Sequence, residues 1–116
     1  MKKRPGNTAT PADPNAAQYS PAYWGDTETQ TRAALKKIDA ALREMKLTMA
    51  DVVKLQAFVV APAGAPAADL AGFNRGYSAY FGANSQGKLP ARTAVQVAAL
   101  GHPGVLIEIE VMAVRP

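Results

Sequence analysis

A stripe of apolar residues along residues 27–46 places the strongest constraint on how this chain folds. Its members recur at spacings of three and four residues, the repeat of one helix face; they are Ala34, Leu35, Ile38, Ala41, Leu42 and Met45. Asp26 and Glu28 stand where the helix dipole favours negative charge, and Thr27 with Gln30 fits a capping box. A helix with one apolar face has to pack that face against another layer.

The second layer is predicted to be a β-sheet. Residues 51–60, DVVKLQAFVV, have the branched and aromatic content of a strand. Its alternation places four residues on a wholly apolar face: Val53, Leu55, Ala57 and Val59. A second amphipathic helix is expected over residues 67–82, and ARTAVQVAA and VLIEIEVMAV read as two further strands. This order predicts an irregular arm at residues 1–25 and one α+β domain at residues 26–116, with two helices on one face of the sheet.

Composition excludes several classes of function. The 116 residues contain no cysteine and one histidine, His102, which excludes disulfides, thiolate metal sites and a His-rich metal site. The net charge is +4, and part of it comes from the arm residues Lys2, Lys3 and Arg4, so we do not expect nucleic acid as a partner. No apolar run approaches the roughly 20 residues that span a membrane. We therefore expect a cytoplasmic protein without a membrane partner.

The two C-terminal strands are predicted to form a hairpin about residues 100–104, which have the composition of a turn. The register that follows pairs Arg92 with Met112, Ala94 with Glu110 and Gln96 with Glu108. These six side chains would share one face, and Val95 and Ile109 would share the face that packs on the helices. The prediction thus brings Arg92 and two glutamates to the same side of the sheet.

Arg92 is the one full charge in the apolar stretch LPARTAVQVAAL. A guanidinium keeps its proton, so burying it without a partner costs several kcal/mol. Three interpretations remain open from the residues alone. The charged face is solvated, or it pairs with another subunit, or it lines a cleft in which Arg92 holds a carboxylate and a glutamate positions water or a proton.

The motif PARTAVQVAAL, a Gly/Pro turn and then LIEIEVMAV resembles the C-terminal signature of the RidA family, also called YjgF or the reactive intermediate deaminases. TETQTRAALKKIDAALREMKLTMADVVKLQAFVV is similar to the first helix and the following strand of that family, and FNRGYSAYFG to its second helix. The resemblance covers about residues 26–115. It implies a chorismate-mutase-like fold in a homotrimer, with sheets inside, helices outside and ligand clefts between subunits.

The resemblance also implies an activity and a site. The activity is hydrolysis of enamine and imine acids such as 2-aminoacrylate to a 2-keto acid and ammonia, with no metal or organic cofactor. By resemblance, Arg92 makes a bidentate contact with the carboxylate of this small substrate, and Glu108 orients the attacking water. The other substrate contacts that it implies are Asn74, Tyr77 and the main chain of Ala94.

Two alternatives stay open beside the deaminase. One is a non-catalytic trimer that binds a carboxylate ligand, and the other is an RNA-directed protein of the endoribonuclease or translation-inhibitor kind. Residues 1–14 stand where the family has its opening strands, and among them Gly6 matches the glycine of an SGQ-like segment. We therefore expect a shortened or divergent member of the family.

Overall fold

The computed structural model of the chain describes residues 10–17, 20–82 and 89–116. The predicted match at Gly6 lies outside these residues. The helices are α1 (Pro21–Trp24), α2 (Thr27–Glu44) and α3 (Leu70–Ser78), and the strands are β1 (Val52–Val59), β2 (Ala91–Gln96) and β3 (Ile107–Ala113). None of the helices in these ranges has both the length and the apolar character that crossing a membrane requires. The predicted order of two long helices and three strands is confirmed.

The three strands form one mixed sheet in the order β2-β1-β3, with β1 parallel to β2 and antiparallel to β3. The long helices α2 and α3 pack on each other, and both contribute to a core on one face of the sheet. The most deeply buried apolar side chains come from these helices and from β1 and β3: Leu35, Leu55, Ala57, Val59, Phe73, Ile107 and Ile109. The α+β architecture with helices on one face is therefore as predicted.

The predicted hairpin of β2 and β3 is wrong, because β1 lies between them. Leu55 of β1 pairs with Arg92, and Phe58 of β1 pairs with Glu108. Register partners share a face, so Val95 projects from the face opposite to Ile109. The physical reason is that β1 buries the most apolar surface and so takes the central place. The residues of β2 are small or polar on both faces, so their alternation did not specify a register.

A β-bulge at the start of β1 changes which valine is buried. The pairing with β3 shifts between Val52 and Lys54, and an extra residue in a strand reverses the faces on either side of it. Val52 is therefore 4% exposed and Val53 is 47% exposed. The shared face predicted for Val53 is therefore wrong, whereas Leu55, Ala57 and Val59 do lie together on the buried face.

The start of α2 is capped differently from the prediction. Asp26 is the N-cap, and its carboxylate accepts a hydrogen bond from the Thr29 amide at 2.8 Å. That bond is the main reason that the pKa of Asp26 is lowered. Gln30 does not complete a capping box with Thr27, because its side chain is buried and bonded to a distant loop.

Gly76 allows α3 to lie close against α2. A Cβ atom at this position would lie 2.8 Å from the Thr31 Cβ and 3.1 Å from the carbonyl oxygen of Glu28. A methyl group at this position would overpack the contact between the two helices. We therefore expect Gly76→Ala to lower the free energy of unfolding by about 1–2 kcal/mol, after the helix propensity gained by alanine is subtracted. Urea denaturation measures the change. Gly101→Ala is the control, since nothing lies within 4 Å of a Cβ there, and equal stability of both variants would contradict the close contact.

Candidate functional site

Arg92 lies at the start of β2, an outer strand of the three-stranded sheet, and its side chain extends toward α3. The guanidinium carbon is 4.7 Å from the centre of the Tyr77 ring and 5.3 Å from the centre of the Phe73 ring. Its Nη1 atom donates a hydrogen bond to the Asn74 side-chain oxygen at 2.8 Å. A cation over aromatic faces is held by the ring quadrupoles. We call Phe73 and Tyr77 the aromatic platform.

Helical spacing explains why α3 can present this platform. Residues four apart lie on one face of a helix, so the rings of Phe73 and Tyr77 are neighbours, with their centres 5.9 Å apart. Tyr77 also stacks on Phe81 at 5.0 Å. Burial raises the pKa of Tyr77, and the positive charge of Arg92 opposes that rise. Tyr77 is therefore an un-ionised phenol at neutral pH, and its ring acts as a support.

The positive charge of Arg92 has no acidic counterpart in the part of the chain that the structure describes. Ion pairs in that part include those of Glu28 with Arg32 and Arg75 and of Asp39 with Arg43. The Asn74 amide that Arg92 contacts is neutral, and the arginine side chain is exposed. Since a guanidinium has five N–H donors, most of them are left to bind an anion from outside the chain.

Of the five predicted site residues, three come together here, a fourth lies on the same face of the sheet, and the fifth does not join them. Arg92, Asn74 and Tyr77 are in contact, and Ala94 follows on the same face of β2, half-buried against the core. Glu108 is half-buried on the other face of the sheet, where it pairs with Phe58.

The register sets the distance between Arg92 and Glu108. The two residues lie two strands apart and three residues apart along the sheet, so about 14 Å separates their Cα atoms. The shared face predicted for Arg92 and Glu108 is therefore wrong, and the two side chains of one chain point away from each other.

Phe73 is a site residue that the sequence prediction did not include. Its large apolar side chain reads as core, and it is indeed fully buried. Its second role is to support the Arg92 guanidinium with its ring. The sequence signal for this role is the i, i+4 spacing from Tyr77, which places two rings side by side next to Asn74.

The chain matches a known protein family. The family model described as Endoribonuclease L-PSP matches residues 10–115 of the chain. The chain belongs to this family. It is the RidA or YjgF family that the sequence resembles, and the α+β fold described above is the fold of its solved members.

Individual members of the RidA family are similar over most of the chain. A RutC family protein from Haemophilus influenzae is 37% identical over 78% of this chain and 65% of its own length. A 2-iminobutanoate/2-iminopropanoate deaminase from Rattus norvegicus is 36% identical over 89% of this chain and 66% of its own. The crystal structure of E. coli TdcF with bound serine matches 94% of this chain and 77% of TdcF, with a TM-score of 0.69 and 28% identity. This chain thus spans about two thirds of the length of the first two relatives.

The sheet of this RidA-family chain has an open face, which carries Glu108. No helix of the described ranges packs on it, and it combines polar and apolar side chains. A depression of about 390 Å³ on this face is lined by Lys54, Gln56, Glu110, Val111 and Met112. Val95 and Met112 are 41% and 58% exposed there. Exposed apolar groups next to charged ones are typical of a surface that contacts another protein.

A cavity of about 890 Å³ lies at the other end of β1 and β2, and none of the predicted site residues lines it. Its walls are mostly apolar loop residues, from residues 60–63 and residues 98–106. His102 is an exposed residue of this lining, in the segment 100–104 for which the sequence predicted a turn. The candidate site around Arg92 is therefore separate from this larger cavity.

Proposed function

We propose that this chain hydrolyses 2-imino and 2-enamino acids to 2-keto acids and ammonia, with Arg92 as the carboxylate receptor. The observation that supports this most is the arginine itself, an exposed cation held on two aromatic rings, whose hydrogen-bond partner among the described residues is a neutral amide. Such a guanidinium is oriented before the ligand arrives, so less side-chain entropy is lost on binding. The similarity to an imine deaminase from rat supports the same reaction.

The chemistry needs a fixed substrate and a group that handles protons. Two parallel N–H···O bonds from Arg92 hold the carboxylate and thereby fix the neighbouring C=N carbon. Water adds to that carbon, and a proton moves from the new hydroxyl to the nitrogen. The C–N bond then breaks, ammonia leaves and the C=O bond of the keto acid forms. Glu108 is proposed to orient the water and to accept and return its proton.

The positions of Arg92 and Glu108 favour a site built from two chains. Because these side chains project from opposite faces of one sheet, a three-carbon acid that touches both needs the Arg92 of one chain and the Glu108 of another. We propose the homotrimer implied by the RidA resemblance as the assembly. The apolar side chains exposed on the open face provide a contact surface for it.

The experiment that tests this function follows the fate of an imine made in the assay. An amino-acid oxidase converts 2-aminobutanoate to 2-iminobutanoate, and the formation of 2-ketobutanoate is measured with and without the protein. We expect a rate that rises in proportion to protein concentration above the spontaneous hydrolysis.

The alternatives predict different outcomes in related assays. No acceleration, together with binding of pyruvate by calorimetry, would favour a non-catalytic carboxylate-binding protein. The name of the family model includes endoribonuclease activity, so RNA binding that weakens steeply with salt would favour an RNA-directed role.

A further inference from the structure

Gln30 is a fully buried polar residue of α2 whose side chain makes three hydrogen bonds to the main chain. Its Oε1 accepts from the Leu106 amide at 2.8 Å. Its Nε2 donates to the carbonyl oxygens of Gly25 and Gly104, each at 2.9 Å. Its exposed fraction is 0%. A buried amide is stable only when its polar atoms are paired, so this set of bonds fixes Gly25 and the segment from Gly104 to Leu106 relative to α2.

The segment that Gln30 holds leads directly into β3. Gly104 has a φ of +84°, in the left-handed region, and it turns the chain toward the strand. At Leu106, the amide is held by Gln30 and the carbonyl oxygen accepts from the Val60 amide at 2.9 Å. The chain is thus fixed from both sides immediately before β3 begins.

Glu108 follows Leu106 by two residues, so the two side chains project from the same face of the extended chain. We infer that Gln30 is a positioning residue for Glu108, because it fixes the point at which β3 starts and hence the place of that carboxylate on the open face. This inference rests on the proposed function, in which Glu108 orients the attacking water. A shift of about 1 Å in a positioned group costs on the order of 100-fold in rate.

Binding and chemistry are expected to respond differently to a change at Gln30. Arg92 pairs with Leu55, whereas Leu106 lies beside Val60, five residues further along the chain and just past the end of β1. The carboxylate receptor is therefore remote from the bonds of Gln30. The pairing of β3 with β1 from Ile109 onward lies beyond these bonds, so their loss is expected to move residues 106–108 at the start of the strand and leave the fold in place.

The test compares Gln30→Leu with Thr31→Val. Thr31 is the adjacent residue, it is equally buried, and its hydroxyl donates to the Thr27 carbonyl oxygen at 2.7 Å. The control therefore also loses a buried bond of α2 but leaves β3 untouched. With 2-iminobutanoate, we expect kcat of Gln30→Leu to fall by about 10- to 100-fold, while its Kd for pyruvate stays within about twofold. We expect Thr31→Val to keep the kcat of the wild type.

Amide hydrogen exchange of Leu106 gives a readout that does not depend on turnover. It is expected to be faster in Gln30→Leu and unchanged in Thr31→Val, with the amide of Leu55 equally protected in all three proteins. If Gln30→Leu does not fold, Gln30→Met replaces it, because an unbranched thioether of similar length fills the space without the amide acceptor or the two donors.

The outcomes separate the two proposals. A wild type that does not turn over the imine contradicts the proposed function. A wild type that turns it over, with the same kcat in Gln30→Leu or an equal loss of kcat in Thr31→Val, contradicts only the role of Gln30.

Discussion

Arg92→Ala is expected to lower kcat/KM for 2-iminobutanoate by about 100- to 1,000-fold, which corresponds to about 3–4 kcal/mol. The variant removes the two charge-assisted hydrogen bonds to the substrate carboxylate, and the negative charge of the substrate is then left without a partner in the cleft. Its fold is expected to be unaffected, since the side chain is exposed. Parallel measurements of turnover, of pyruvate binding and of urea denaturation distinguish a lost receptor from a damaged protein.

Matched variants show which property of Arg92 matters. Arg92→Lys keeps the charge but loses the planar fork, so an intermediate loss of about 10-fold is expected. Tyr77→Phe keeps the aromatic platform and is expected to stay within about threefold of the wild type. Tyr77→Leu removes a cation–π contact worth about 0.5–2 kcal/mol and is expected to be weaker. Equal rates for the wild type and Arg92→Ala would remove the case for a carboxylate receptor.

The elements that the sequence predicted correctly are those with a strong periodic pattern. The stripe of α2 places Leu35, Ile38 and Leu42 in the core because their spacing matches the helical repeat. Leu55, Ala57 and Val59 are likewise buried because strand alternation leaves them on one face. Burial of apolar surface dominates the stability of these elements, so a local pattern suffices to predict them.

The sheet order could not be predicted from the same kind of pattern. Whether β2 and β3 pair directly depends on which strand takes the centre, and that is decided by contacts between residues far apart in sequence. A connection of ten residues, 97–106, leads from β2 to β3, which is longer than a tight hairpin loop. That length is seen only in the observed strand ends, because the sequence pattern extended the two strands to residues 99 and 105 and left a turn at residues 100–104.

The same error in sheet order affected the candidate site. The resemblance to the RidA family pointed to Arg92, Asn74 and Tyr77 together, and the structure brings these three residues into contact. The hairpin register placed Glu108 beside them, whereas the observed sheet places it on the far face. Correcting the register therefore removes the pairing of Arg92 with Glu108 inside one chain and leaves the clefts between subunits that the RidA resemblance implies.

A mixture of two inactive variants tests a site between chains. Arg92→Ala and Glu108→Gln are each expected to be inactive or nearly so alone. When the two are unfolded together in equal amounts and refolded, each site draws its arginine from one chain and its glutamate from a neighbour. In a cyclic oligomer of randomly mixed chains, a given site has an intact arginine in half of the cases and, independently, an intact glutamate in half of the cases. Both are intact in about a quarter of the sites, so about a quarter of the wild-type activity is expected to return.

The mixing experiment distinguishes the two arrangements because a site within one chain predicts no recovery. Every chain in the mixture carries one of the two substitutions, so no single chain has both Arg92 and Glu108. Refolding each variant separately and then combining the samples without denaturant is the control, since subunits that do not exchange stay inactive. Recovery only after joint refolding would also show that the chains associate. No recovery, with wild-type chains regaining full activity under the same treatment, would contradict the proposed site, because the observed sheet does not allow one chain to bring both groups to the same substrate.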